Sequence, residues 1–243
     1  MTEKETRENE VIIEMNGEEN KREIVVPGEI VASGTSFLPG ENTKREGEDI
    51  IATRFGLLDK EGRLVKIIPL SGIYLPRKGN IIIGKVEDIT FNGWLMDINS
   101  PYKAFLPISE CRGFISKRED LSTIFSIGDM VIAQVVAVKS KGVDLTTRDK
   151  GLHKIENGLI IKINSSKVPR VIGKQGSMIN LIKQETGCNI VVGQNGIIWI
   201  KGDDVEQELL AKEAIKLITE KSFTEGLTDF IKNFLEKSKN KKK

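Results

Sequence analysis

The sequence predicts a multidomain chain, mainly β with an α+β end: a small N-terminal β-barrel or sandwich, a central five-stranded barrel and a C-terminal β-α-α-β-β-α unit. Three observations lead there. Short apolar segments recur from residue 23 to residue 148, separated by Pro-Gly, Lys-Gly and Asn-Gly bends, as small barrels and sandwiches require. From Leu159 the pattern changes to an apolar strand, a glycine loop, a helix, two strands and a long helix. The charge changes along the chain as well. Residues 1–75 carry 10 basic and 15 acidic side chains, residues 76–150 carry 11 and 9, and residues 151–243 carry 16 and 11. An acidic first third and a basic last third suit a chain whose later parts meet a polyanion.

Whole-chain properties narrow the class. At 243 residues and 39% hydrophobic content, several small cores are expected rather than one large one. Cys111 and Cys188 lie far apart, in different expected domains and without metal-ligand spacing, so both read as free thiols of a cytoplasmic protein. The charged start, Met1–Glu10, does not read as a signal peptide, so none is expected. The apolar runs fall short of the roughly 18–20 residues a bilayer span needs, so no membrane partner is expected.

In chain order, residues 1–22 read as a flexible tail with one apolar triplet, Val11-Ile12-Ile13. Residues 23–75 form the first β domain. Glu23–Val31 is a strand broken by Pro27-Gly28, Ile50–Leu58 a single strand, and Leu64–Leu70 its return after a turn at Lys60-Glu61-Gly62. No catalytic constellation occurs in it, so docking or scaffolding fits better than chemistry.

Residues 76–150 supply the five barrel strands. Ile81–Ile89 leads through Asn92-Gly93 into the alternating Trp94–Ile98; Lys103–Glu110 follows, then Met130–Val138, and Val143–Arg148 after Lys141-Gly142. GKVEDITFNGWLMDI, AFLPISE and SIGDMVIAQVVAV together resemble the RNA-binding S-one domain, an OB-fold. In that family, aromatics on the second and third strands stack on bases, at about 1–3 kcal/mol each. The resemblance points to Phe91 and Trp94 as RNA contacts, with core packing an equal reading for Trp94 and the simpler one for Phe105. Arg112, Lys117 and Arg118 form a basic loop that either contacts RNA or is merely solvated.

Residues 151–221 carry the most specific motif, Val171-Ile172-Gly173-Lys174-Gln175-Gly176-Ser177-Met178-Ile179. Glycines three apart let a sugar-phosphate backbone approach the main chain. The helix that follows, Ser177–Thr186 with Ser177 as its expected cap, turns its N-terminal amides toward phosphate. Strands Cys188–Val192 and Ile197–Ile200 flank a Gln194-Asn195-Gly196 turn, and Asp204–Lys221 is a long helix. The segment resembles a type I KH domain, whose loop clamps about four nucleotides of single-stranded nucleic acid. Gly173, Lys174, Gln175 and Gly176 are the expected RNA-binding loop, Arg170 its phosphate partner, and Ile172 and Met178 apolar groove residues. His153, the single histidine, cannot supply a triad alone. Residues 222–243 combine an amphipathic helix (Phe223, Leu227, Phe230, Ile231, Phe234, Leu235) with a basic tail.

The order of a short β domain, one S-one domain and one KH domain resembles the RNA-binding cap subunits of the archaeal exosome, the ribosomal-RNA-processing protein four family. VVPGEIV, IIPLSGIYLPRKGNIIIGKV and TTRDKGLHKIENG support it at the start and at the two junctions. The resemblance implies a noncatalytic subunit without cofactors. Three copies, alone or mixed with another cap subunit, would dock through the N-terminal domain on a hexameric ring of exonuclease-fold subunits. They would capture single-stranded, A-rich RNA and feed its 3′ end inward. The alternative is a stand-alone S-one/KH factor acting in transcription or translation. An enzyme fits poorly, because the sequence has no metal cluster and no Walker loop, and Asp88, Asp97, Asp129 and Asp144 are spread over strands and turns.

Overall fold

The structure, a computed structural model, describes residues 10–11, 22–113, 120–221 and 226–240. These fall into two compact units, one ending at Gly72 and the other starting at Ile73. Lys117, Arg118 and Phe223 lie outside the described residues.

The first unit is built from β1 (Glu10–Val11), β2 (Arg22–Val25), β3 (Ile30–Ser33), β4 (Leu38–Pro39), β5 (Thr43–Glu46), β6 (Asp49–Ala52), β7 (Gly56–Glu61) and β8 (Leu64–Pro69). They form two sheets, ordered β1-β2-β7-β8-β4 and β3-β6-β5. Val25, Val31, Ile50, Ala52, Leu58, Val65 and Ile67 make the core. The segment Ile50–Leu58 is not the single strand its sequence suggests. The chain breaks at residues 53–55, so that β6 and β7 enter different sheets. Gly56 opens β7 against its partner so closely that a Cβ there would lie 2.3 Å from the Ile68 carbonyl oxygen.

The second unit opens with a barrel. Its strands are β9 (Ile81–Thr90), β10 (Gly93–Asp97), β11 (Ala104–Pro107), β12 (Met130–Lys139) and β13 (Gly142–Thr146). The order β13-β11-β10-β9-β12 closes through β12–β13 pairing, and β11 runs parallel to β13. This is the five-stranded OB arrangement. A two-residue β14 (Lys154–Ile155) pairs with β12 and extends the sheet beyond the closed barrel. Period-two alternation sends Val86, Trp94, Met96, Leu106, Val131, Val135 and Leu145 inward.

The chain then forms β15 (Leu159–Lys162), α1 (Val168–Ile172), α2 (Ser177–Thr186), β16 (Asn189–Val192), β17 (Ile197–Lys201) and α3 (Val205–Glu220). The sheet runs β15-β17-β16, antiparallel throughout. The three helices pack on it through Val171, Ile179, Ile182, Ala211, Ala214, Ile215 and Ile218. A fourth helix, α4 (Leu227–Asn240), buries Leu227, Ile231 and Leu235 in the same core. Spacings of four residues place these three on one stripe, while Phe230 stays partly exposed beneath the Lys221 ammonium, 3.9 Å from its ring centroid.

Barrel and C-terminal sheet are joined inside this unit by the Gly193–Gly196 turn. Asn195 is fully buried. Its amide nitrogen donates to the carbonyls of Ile83 (2.8 Å) and Ile98 (3.0 Å), and its amide oxygen accepts from Ile83 N–H. Gln194 N–H donates to the Ile81 carbonyl, and the Asn99 side chain donates to the Asn195 carbonyl. A small apolar cluster of Ile83, Ile132, Leu152, Ile155 and Trp199 backs the polar joint.

Candidate nucleic-acid interface

The glycine loop is placed by α1 and α2. Val168 and Val171 bury one side of α1, which leaves Pro169 and Arg170 exposed and Ile172 half-buried. Gly173 ends α1 at φ 75°, ψ 175°, a conformation that disfavours any side chain. Space excludes one too, because a Cβ would lie 2.8 Å from both Met178 N and Met178 Cβ. Gly176, at φ 81°, is left-handed, but a Cβ there would meet only ordinary contacts, 3.5 Å from Asn180 Nδ2 and 4.0 Å from Ile179 Cγ2. Between them Lys174 and Gln175 stand exposed, and Gln175 itself sits at φ 52°. The loop therefore presents one cation and one amide at its tip, with almost no side-chain bulk at its shoulders.

Ser177, the expected cap of α2, is instead that helix's first residue; left-handed Gly176 occupies the cap position, with no side-chain capping bond. The first turn of α2 is thus open at the loop, where its dipole favours negative charge. Met178, expected to line a groove, is 5% exposed and belongs to the core. Its neighbours Ile179 and Ile182 pull the same face of α2 inward, so Met178 offers no surface for a base. Lys167, at the start of α1, has its ammonium held below the ordinary lysine value, first by burial and then by the Arg170 charge.

On the barrel, Phe91 is 94% exposed at the β9–β10 turn, a position available for stacking. Trp94 is the opposite case. It is fully buried, donates its indole N–H to the Phe125 carbonyl at 2.9 Å, and meets the Phe125 ring edge-on. It cannot stack on a base. Strand parity explains why: Trp94 and Met96 point inward, while Leu95 and Asp97 point out. The outward partner opposite Leu95 is the half-buried Phe105, the one aromatic that does lie on the strand surface. A charged Asp97 in the same alternation as Leu95 was the sequence signal for that parity. Arg112 is exposed in the loop after β11. The structure thus gathers Arg170, Ile172, Gly173, Lys174, Gln175 and Gly176 in one stretch, and keeps Phe91 and Phe105 on the barrel.

Neither thiol is poised for chemistry. Burial pushes Cys111 up to about 11, against a Thr147 hydrogen bond that lowers it, and burial likewise raises Cys188. Among the described residues no group of His, Cys, Asp and Glu is arranged to hold a metal, and no helix is long and apolar enough to cross a membrane.

Comparison with known proteins agrees with this geometry. Residues 158–219 match the KH domain family, and residues 22–71 match the exosome RNA binding protein RRP4 N-terminal domain. An exosome complex component Rrp4 of Pyrococcus furiosus is 46% identical over 88% of this chain and 83% of its own length. Its counterpart in Methanothermus fervidus is 43% identical over 90% of this chain and 97% of its own. The chain belongs to the Rrp4 family. A crystal structure of a candidate exosome complex RNA-binding protein superposes with a TM-score of 0.64 at 35% identity, over 71% of this chain and all of that one. The Rrp4 N-terminal match lies within the first unit, and the KH match begins one residue before β15 and ends within α3. The Asn195 joint was not singled out by the sequence, although it lies inside a segment assigned correctly to a turn; Phe105, for which core packing was the simpler reading, is instead half-buried and outside the buried barrel core.

Proposed function

We propose that this Rrp4-family chain is a noncatalytic RNA-binding subunit of an exosome. In this reading it captures single-stranded, A-rich RNA and passes the 3′ end to a ring of exonuclease subunits. One observation carries the reading: a glycine loop with Lys174 and Gln175 at its exposed tip, at the N-terminus of α2, in a KH unit fixed to an OB barrel. The loop suits phosphates, because its shoulders carry no side chains and its tip carries a mobile cation. Phe91 supplies a stacking surface on the barrel, and Arg112 an exposed positive charge in the loop after β11. Each contact is weak alone. Three copies around one opening would raise the effective concentration of sites and hold a strand by avidity.

The acidic first unit serves docking in this scheme, since a net negative domain holds RNA poorly. Native mass measurement of the purified assembly tests the proposal. Three copies on a hexameric ring of exonuclease-fold subunits, or a mixture with another cap subunit totalling three, is the expected composition. Recovery bound to RNA polymerase or ribosomes without ring subunits would favour the stand-alone factor instead. Incubation of the isolated chain with labelled RNA, phosphate and magnesium should leave the RNA intact.

A further inference from the structure

A second feature of the KH unit lies outside the glycine loop. Between β15 and α3 is a pocket of about 390 Å³ lined by Ile161, Ile163, Asn164, Thr219 and four lysines, Lys162, Lys167, Lys212 and Lys216. We propose that this lysine-rimmed pocket is a further subsite for the RNA strand, taking a phosphate on its amines and the attached ribose and base on its apolar floor. The inference rests on the RNA-binding reading above.

Four observations support it. No carboxylate lines the pocket, so its positive charge is not neutralised from within. Among the described residues no ion pair engages Lys162 or Lys212, and Lys216 meets Glu220 only at 3.7 Å, with both side chains well exposed. Such a pair is worth little in water and is readily exchanged for a phosphate. The size is that of a small-ligand site, and Ile161 and Ile163 offer the kind of surface a ribose and base cover. The wall is rigid: the Asn164 side chain accepts from Ser166 N–H at 3.0 Å and from Ser166 Oγ at 2.8 Å, and Ile163 N–H donates to the Gly196 carbonyl.

Continuity with the loop decides between RNA and an acidic protein segment. Lys167 lines the pocket and stands at the first end of α1; Gly173 stands at the other. Five residues of helix rise only about 7.5 Å. Exposed Arg170 lies between, close enough for its charge to act on Lys167. Pocket, Lys167, Arg170 and Lys174 therefore form one cationic track along α1. A strand clamped at the loop can continue into the pocket without leaving that track.

The test uses the full chain, its Lys162→Gln/Lys212→Gln variant, and oligoadenylates of about four nucleotides, the span of a KH loop, and about ten. The variant should bind the short oligonucleotide as the parent does. For the long one it should lose roughly tenfold in affinity, and the slope of log affinity against log salt should shrink by about 0.7, the value for one lost phosphate contact on a single strand. Unchanged affinity and slope for the long oligonucleotide would overturn the subsite while leaving the loop reading intact. A parent that binds neither oligonucleotide would defeat the loop reading and the subsite together. A polyglutamate peptide that binds the parent but not the variant, with RNA binding unaltered, would assign the pocket to an acidic protein segment and refute the proposal.

Discussion

Asn195 shows how much one side chain can hold. It satisfies two carbonyls and one N–H of the barrel from a turn of the neighbouring sheet, with no exposure to water. Removing its amide strands those groups away from solvent, and each buried orphan costs about 1–3 kcal/mol. Asn195→Ala should therefore lower stability by about 2–4 kcal/mol in urea denaturation; a loss below about 0.5 kcal/mol would mean that water replaces the amide. The thiols give a second expectation. With Cys111 and Cys188 buried and their pKa values raised, neither should react with a thiol reagent at neutral pH until the protein unfolds. At this scale the sequence was legible for the loop and illegible for the joint. Gly173 and Gly176 announce themselves by spacing, and their positive φ angles follow from the turn they make. An Asn in Gln194-Asn195-Gly196 looks like any other turn residue, because its partners are more than 95 positions away. Trp94 was ambiguous for a different reason: an aromatic on a barrel strand packs inward or stacks outward according to parity alone.

Among the elements, α1, α2, α3 and α4 all contribute to the KH core, and the glycine loop is the proposed binding element. Ile231 is fully buried in the KH core from α4. Ile231→Ala should cost about 2–5 kcal/mol by lost transfer and cavity terms, measured by thermal unfolding, so α4 belongs to the domain rather than trailing from it. The amphipathic spacing predicted the helix; it could not say what the apolar stripe covers. The sequence likewise read Ile50–Leu58 as one strand, since apolar runs do not reveal where a chain crosses between sheets. At the foot of the barrel, Asp129 accepts from Ser126 N–H and pairs with Lys154 of β14. Burial opposes its charge, but the Lys154 bond and the Ser126 N–H outweigh it and set its pKa below 3.8. A depressed carboxyl contributes stability that is complete above pH 3.8 and fades as pH falls through the folded value. Asp129→Asn should flatten that acid limb while leaving the neutral region less stable by a pH-independent amount.

At the scale of the molecule, barrel and KH sheet behave as one unit, because the Gly193–Gly196 turn and the Trp199 cluster bind them. Amides of β12 and β17 should accordingly exchange with the same free energy of opening; a β17 that opens well before β12 would show that the joint is loose. The order of modules, and hence the Rrp4 family, was readable from the sequence, since each module has its own period and its own glycine signature. Their fusion was not, because it depends on contacts distant along the chain. A fused unit gives the loop a fixed platform, so the proposed binding site can be altered at its tip without disturbing the core. Replacing Gly173 is a poor probe, because any side chain there collides with Met178. Lys174 and Gln175 are both exposed. The most direct measurement is therefore the affinity of the Lys174→Asp/Gln175→Asp variant for single-stranded RNA, beside its unfolding free energy. The account predicts a loss of about tenfold or more in affinity with stability held within about 0.5 kcal/mol. Equal affinity of variant and parent would contradict it.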